Sequence, residues 1–236
     1  MLKSSLVGVF RATAAENERV ILESLPHSPG SRLLDLGCGD GSFTEQVAAR
    51  TGAGEVVGIE LVPDHAAVAR TRGFEVREAD LGEPFPFPDD HFDIVHSNQV
   101  IEHLRGTDNF LRESARVVRP GGVVVHSTNN LASWHNVFAL VLGWQPLPAH
   151  VSDEIILGNP ANPYGGSEAP VEGQTHLRIF TGRALADLAA HHGLDVKAVK
   201  GAGYYPFPPG VGRLLARIDR RHAAFLVLVA TRPQPA

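Results

Sequence analysis

Between residues 31 and 127 the chain alternates short runs of β-branched residues with amphipathic helical patterns. That alternation admits few architectures other than a parallel sheet joined by crossover helices. The runs predict strands at 31–36, 55–60, 73–78, 92–98 and 122–127, with helices at 42–50, 63–71 and 108–118. The strand at 122–127 is almost wholly apolar, as expected of a strand buried on both faces. Beyond it, 131–142 reads as helical, and 143–174 holds five prolines and five glycines with little periodicity. A loop of that length inside a compact domain is expected to be a lid or a binding loop. The regular pattern resumes at Thr181, a good N-cap, with a helix at 182–192 and a strand at 194–201. A Pro-rich loop at 204–210, a basic helix at 211–221 and a last strand at 223–231 follow.

A chain of 236 residues suits one domain wrapped around one core. The single cysteine, Cys38, excludes an internal disulfide and a cysteine-based zinc cluster, and is compatible with a reducing compartment. The longest apolar runs, 137–142 and 225–230, are far below the roughly 18–20 residues that span a bilayer. The apolar stretch behind Lys3 lacks a following small-residue cleavage site. With a net charge of −5 there is no long-range attraction toward phosphate backbones. A cytoplasmic protein with no membrane partner and no favoured nucleic-acid partner is expected; composition leaves its oligomeric state open.

The most informative segment is Leu33-Leu34-Asp35-Leu36-Gly37-Cys38-Gly39-Asp40-Gly41. Its glycines let a strand turn sharply into a helix and let a ligand approach the backbone. Glu60 closes the second strand 25 residues after Asp35, where a carboxylate suits the two hydroxyls of a ribose. Asp80, just past the third strand, can accept from an exocyclic amine such as that of adenine. A nicotinamide dinucleotide would need a third glycine one residue later and a pyrophosphate beside Asp35 and Asp40, whose charge repels it. A cationic ligand fits better. Asp40 also has a local reading, as a cap for the following helix.

Residues 33–41, Glu60, Glu78-Ala79-Asp80-Leu81, Phe92-Asp93-Ile94-Val95 and Arg119-Pro120-Gly121-Gly122 resemble, in order and spacing, the motifs of class I S-adenosylmethionine (SAM)-dependent methyltransferases of the type 11 kind. The resemblance implies a doubly wound α/β fold, a Rossmann-like methyltransferase sheet of seven mostly parallel strands. Their order would be 3-2-1-4-5-7-6, the last strand antiparallel, with a lid insertion after the fifth. It implies SAM as cofactor and S-adenosylhomocysteine as product. Asp35, Gly37, Cys38 and Gly39 would surround the methionine part, Glu60 and Leu61 the ribose, and Asp80 and Leu81 the adenine. Asn98 and Gln99 would face the methyl donor. One methyltransferase domain over 1–236 is expected, covered by 131–177 and 202–222. The roughly 30 residues before the first strand look too short to contribute to that cover.

The acceptor is constrained mainly by exclusion. Nucleobase amine methyltransferases carry an Asn/Asp-Pro-Pro-aromatic turn after the fourth strand, where this chain has Ser97-Asn98-Gln99-Val100. Cytosine carbon methylation needs a thiolate at the acceptor, and the only thiol lies in the glycine turn. Gln99-Val100-Ile101-Glu102-His103 resembles the Glu-x-x-Glu-His metal motif of ubiquinone-pathway and small-RNA methyltransferases, but Gln99 replaces its first carboxylate. No metal is therefore expected. The expected reaction is methyl transfer to an oxygen, less favourably a nitrogen, of a small molecule. The alternatives are an RNA or other macromolecular acceptor, or a SAM-binding regulatory subunit. A hydroxyl acceptor profits from a base with a pKa near neutrality, and His176 and then His150, in or beside the lid, are the candidates. Tyr204, Tyr205 and Phe207 are candidate walls of an apolar pocket, and Arg213, Arg217, Arg220 and Arg221 read as a solvated basic face.

Overall fold

The computed structural model describes residues 2–152, 154–167 and 175–235. Residues 153 and 168–174 of the expected lid lie outside that description. The chain runs α1 (Leu2–Ser24), β1 (Arg32–Leu36), α2 (Ser42–Thr51), β2 (Glu55–Glu60), α3 (Pro63–Thr71), β3 (Glu75–Glu78) and β4 (Phe92–Asn98). It continues through a 3-10 turn at Ile101–His103, α4 (Thr107–Val117), β5 (Val118–Asn129), α5 (Trp134–Val141), α6 (Gly182–His191), β6 (Asp195–Ala202), α7 (Pro209–Ile218), a second 3-10 turn at Arg220–His222 and β7 (Phe225–Thr231).

The strands form one sheet in the order β3-β2-β1-β4-β5-β7-β6. The first five pair in parallel, while β7 runs antiparallel to both β5 and β6. Period-two alternation sorts side chains to two faces. Leu33, Ile94, Val125 and Val227 join Ile21 of α1, Leu25 just after it and Val47 of α2 on one side. Leu34, Val95, Val124 and Leu228 join Phe110 and Leu111 of α4 and Leu185 of α6 on the other. Each such large apolar side chain contributes roughly 1.5–3 kcal/mol through burial. β1 and β4 lie side by side although β2 and β3 come between them in sequence, so chain direction across the sheet reverses there. Open parallel sheets bind ligands at the carboxyl ends of strands at such a point.

Three local expectations are corrected. Residues 2–24, expected only as a short lead-in, form a helix that packs on the sheet, because Leu6, Phe10 and Ile21 fall on one helical face and, with Leu25 just after the helix, find the β5–β7 surface. β5 begins at Val118 rather than 122, running through Pro120-Gly121-Gly122 with a register irregularity opposite β4. The basic segment splits into α7 and a 3-10 turn at Asp219. Among the described residues no helix is long and apolar enough to cross a membrane.

Candidate active site

β1 delivers the chain into a turn in which Gly37, Gly39 and Gly41 all have positive φ. At Gly37, with φ +76°, a Cβ would lie 2.6 Å from Val100 Cγ2, so only glycine is accommodated there. The N–H groups of Gly37 and Cys38 both donate to Ile59 O, at 2.8 and 3.1 Å, fastening the turn to β2. One residue on, the Glu60 carboxylate spans the same seam: Oε2 accepts from Gly39 N–H at 2.8 Å and Oε1 from Val62 N–H at 2.9 Å. A cavity of about 240 Å³ opens here. It brings together Gly37, Glu60, Leu61, Asp80, Leu81, Asn98 and Gln99, seven of the ten residues expected around the cofactor. No lysine or arginine lines it, and neither Glu60 nor Asp80 has an ion-pair partner among the described residues. Two uncompensated carboxylates beside a turn free of Cβ atoms suit a cationic, hydroxyl-bearing ligand.

The other three expected residues stand behind the wall. Asp35 is buried and accepts from Thr44 Oγ1 at 2.7 Å, and burial raises its carboxyl above the usual range. Cys38 packs with Ala66, Ala69 and Val76. Burial, with the nearby charges of Asp35 and Glu60, pushes its thiol up to about 12, so it is no nucleophile at neutral pH. Gly39 contributes its N–H to Glu60. Asp40 accepts from Ser42 N–H at 2.9 Å, while Gly41 holds the cap position of α2.

The cavity floor depends on α1. Asn17 Nδ2 donates to Asn98 Oδ1 and to Ser127 Oγ, each at 2.9 Å. Asn98, held through its oxygen, lines the cavity. Gln99 sits at φ +57°, a left-handed conformation costing a side-chain-bearing residue on the order of 1–2 kcal/mol. Its amide, oriented with the nitrogen toward Glu102 Oε1 at 3.1 Å and the oxygen toward Ser127 Oγ, ties the end of β4 to the following turn. Asn17 was missed from sequence alone; a buried asparagine on the apolar face of α1 was the available signal.

A second cavity, of about 430 Å³, adjoins the first. Phe10, Leu147, Pro148, Ile156, Tyr164 and Phe225 make most of its wall apolar, and His135, His150, His176, Asn129 and Asn162 supply the polar groups. Both expected bases are thus in one place. Their rings stack with centroids 4.9 Å apart and planes 8° from parallel. His176 Nδ1 lies 2.9 Å from Pro148 O; a carbonyl only accepts, so Nδ1 carries the proton and Nε2 the lone pair. Burial and the neighbouring His103 and His150 push the His176 imidazole down to about 4. His150 is lowered by burial as well, and its Nδ1 is buried without a hydrogen-bond partner among the described residues. Phe10 corrects the expectation that the N-terminal segment stays out of the cover. Segment 131–177 supplies most of this wall, whereas 202–222 stands behind it: Tyr204 and Tyr205 are buried, Tyr205 packing against Phe10 and His135, and Phe207 is exposed.

Where the cavities meet, His103 lines the first and His176 the second, with ring centroids 4.8 Å apart. Glu102 lies beneath them, fully buried. An oxygen of Glu102 and a ring nitrogen from each histidine fall within 4.8 Å of one another, a set that could hold a cation by type. The Glu102 carboxyl is committed elsewhere: it accepts from Thr128 Oγ1 at 2.8 Å and Asn129 Nδ2 at 3.1 Å, and burial raises its pKa to about 7. A carboxyl that burial keeps partly neutral and that spends both oxygens on internal donors is a poor cation ligand. Its backbone oxygen meanwhile accepts from Leu177 N–H and Arg178 N–H, anchoring the segment that carries His176.

Comparison with known proteins agrees with this geometry. A family model described as a methyltransferase domain matches residues 34–126. A probable S-adenosylmethionine-dependent methyltransferase of Mycobacterium tuberculosis is 29% identical over 212 residues, covering 82% of this chain and 69% of that protein. The ubiquinone biosynthesis O-methyltransferase of Sinorhizobium fredii is 35% identical over 145 residues, covering 56% of this chain and 58% of that protein. This chain therefore spans little more than half the length of that relative. The crystal structure of an S-adenosylmethionine-dependent methyltransferase from Mesorhizobium loti shares the fold, with a TM-score of 0.62, 23% identity, and coverage of 91% of this chain and 96% of that one. The ordered motifs, the sheet order, the strand-end cavity and these relatives lead to one assignment: the chain belongs to the class I S-adenosylmethionine-dependent methyltransferases, enzymes that take SAM as cofactor.

Proposed function

We propose that this enzyme methylates a hydroxyl oxygen of a small, largely apolar acceptor, in the cytoplasm and without a metal. The observation that carries this reading is the meeting of the two cavities at His103 and His176, with a histidine pair on the acceptor side. In this proposal the residues are one domain, with 131–177 as the main cover and 202–222 as its support. Glu60 takes the ribose hydroxyls, Asp80 and Leu81 the adenine, and Gly37, Asn98 and Gln99 the methionine end. Asp35, Cys38 and Gly39 shape the turn from behind. When bound, SAM supplies an electrophilic methyl group on a sulfonium.

The chain's own contribution is position and proton handling. Methyl transfer is an in-line displacement, accelerated mainly by holding the two reactants at near-attack distance. The apolar wall excludes water, and the acceptor hydroxyl would donate toward His176 Nε2, whose tautomer is set by Pro148 O. An imidazole held near 4 is uncharged at neutral pH, ready to accept but only a weak base, so its main effect is to orient the hydroxyl and receive the proton as it is released. The ubiquinone-pathway relative acts on oxygen by its name, which supports oxygen over nitrogen. The test is a screen of small phenols, alcohols and amines, with RNA as a separate arm, following S-adenosylhomocysteine. Turnover with amines or RNA and none with hydroxyl compounds would reject the reading.

A further inference from the structure

Helices α5 and α7 each turn one apolar face to solvent. On α5, Trp134, Phe138 and Val141 repeat at helical spacing and are 38%, 60% and 77% exposed. On α7, Val211, Leu214 and Ile218 do the same, at 47%, 58% and 76%. The two faces join where Trp134 Nε1 donates to Asp219 at 3.0 Å and the indole stacks on His222 with centroids 4.4 Å apart. An isolated exposed leucine needs no explanation, but a joined pair of apolar helix faces marks an interaction surface.

The charge around this surface selects its occupant. The chain as a whole carries −5, yet 209–222 holds four arginines and one aspartate. Arg213 faces Glu16 at 3.7 Å, whereas Arg217, Arg220 and Arg221 are exposed with no ion-pair partner among the described residues. On the α7 wheel Arg213 and Arg217 lie beside the apolar stripe, between it and the buried side at Gly212 and Ala216. Apolar side chains flanked by arginines whose stems can lie along a surface make an interfacial helix for anionic lipid. A second copy of the chain is disfavoured, since a two-fold contact would set the same arginines against each other. A phosphate backbone has no use for six exposed apolar side chains.

We infer that the α5–α7 surface docks this enzyme on an anionic membrane surface. No spanning segment is found among the described residues, and the inferred contact is peripheral, which goes beyond the expectation of no membrane partner. His135, on the flank of α5 about a quarter-turn from its apolar stripe, lines the wall of the 430 Å³ cavity, so docking sets the cavity within about one helix diameter, roughly 10 Å, of the lipid.

The test is cosedimentation of the full chain with vesicles of phosphatidylcholine alone, and of phosphatidylcholine mixed equally with phosphatidylglycerol. The expected result is partition to the mixed vesicles, weakened by salt, and little to the neutral ones. The double variants F138S/I218S and R217E/R220E should each lower partition at least about tenfold while keeping the parent circular dichroism and melting curve. Absent partition at low salt overturns the inference, as does partition that neither double variant changes. Sedimentation of the parent as a dimer that F138S/I218S converts to monomer would also overturn it, by showing that a second copy covers the face.

Discussion

His103 and His176 pack with ring centroids 4.8 Å apart, each fixed by an Nδ1 contact to a backbone carbonyl, Thr175 O at 3.2 Å and Pro148 O at 2.9 Å. One ring lines each cavity, so the pair stands where the two come together. Its rings are held from the lid side, so the lid backbone sets the geometry of the junction. Replacing His176 by alanine is expected to lower turnover at least about tenfold, less than the loss of a strong general base because this imidazole mainly orients the hydroxyl, with SAM affinity within about twofold. Steady-state kinetics beside calorimetry measure both, and unchanged turnover would reject a catalytic role.

Glu60 is expected to dominate cofactor affinity. Its carboxylate closes the glycine turn and reaches the cavity without a cationic partner, so Glu60→Ala removes acceptors for the turn and for the ribose at once. Two charge-assisted hydrogen bonds correspond to a loss of about 100-fold or more in SAM affinity. Calorimetric titration giving an affinity within threefold or so of the parent would sink the ribose assignment.

Asn17 tests whether α1 belongs to the site. It is 2% exposed and serves both Asn98 and Ser127. Asn17→Leu leaves those groups short of a partner, costing about 1–3 kcal/mol of stability. The loosened Asn98 should weaken SAM binding severalfold, and a variant that melts early but binds SAM normally would confine Asn17 to the fold.

Stability should fall on acidification. Burial holds His96, His126, His135, His150 and His176 below the usual imidazole range, to about 3 for His126 and about 4 for His135 and His176. The unfolded chain protonates these groups near pH 6.5. It therefore binds more protons than the native state as pH drops from about 6.5 to 4, and stability is lost over that window. Glu102, raised to about 7, has the opposite sign: its contribution is full below about pH 4.5 and lost as pH rises through 7. Asp35, raised in the same direction, adds to Glu102, but five imidazoles outweigh two carboxyls. Tm at pH 5 should lie at least about 5 °C below that at pH 7. Equal melting temperatures would show that the imidazoles are protonated in the native state.

The commitment of Glu102 to Thr128 and Asn129 predicts an enzyme indifferent to divalent cations. Calorimetry with Mg²⁺ or Zn²⁺ should show no saturable binding, and turnover should survive a chelator. Micromolar binding abolished in Glu102→Ala would reverse this.

Local signals were enough for much of this protein. Strand and helix positions follow from periods of 2 and 3.6, and the Gly37–Gly41 turn, Glu60 and Asp80 are recognisable because each sits at the end of its own strand. Strand order came only with the family resemblance, since periodicity says which residues are buried but not which strand is the neighbour. Tertiary structure alone decided the rest. Asn17 meets Asn98 across 81 residues and His103 meets Thr175 across 72, and no local pattern encodes which partner a buried polar group will find. The same holds for α5 and α7. Their apolar residues have helical spacing like any core helix, and only the packed chain shows that these faces, with their arginines, were left turned to solvent.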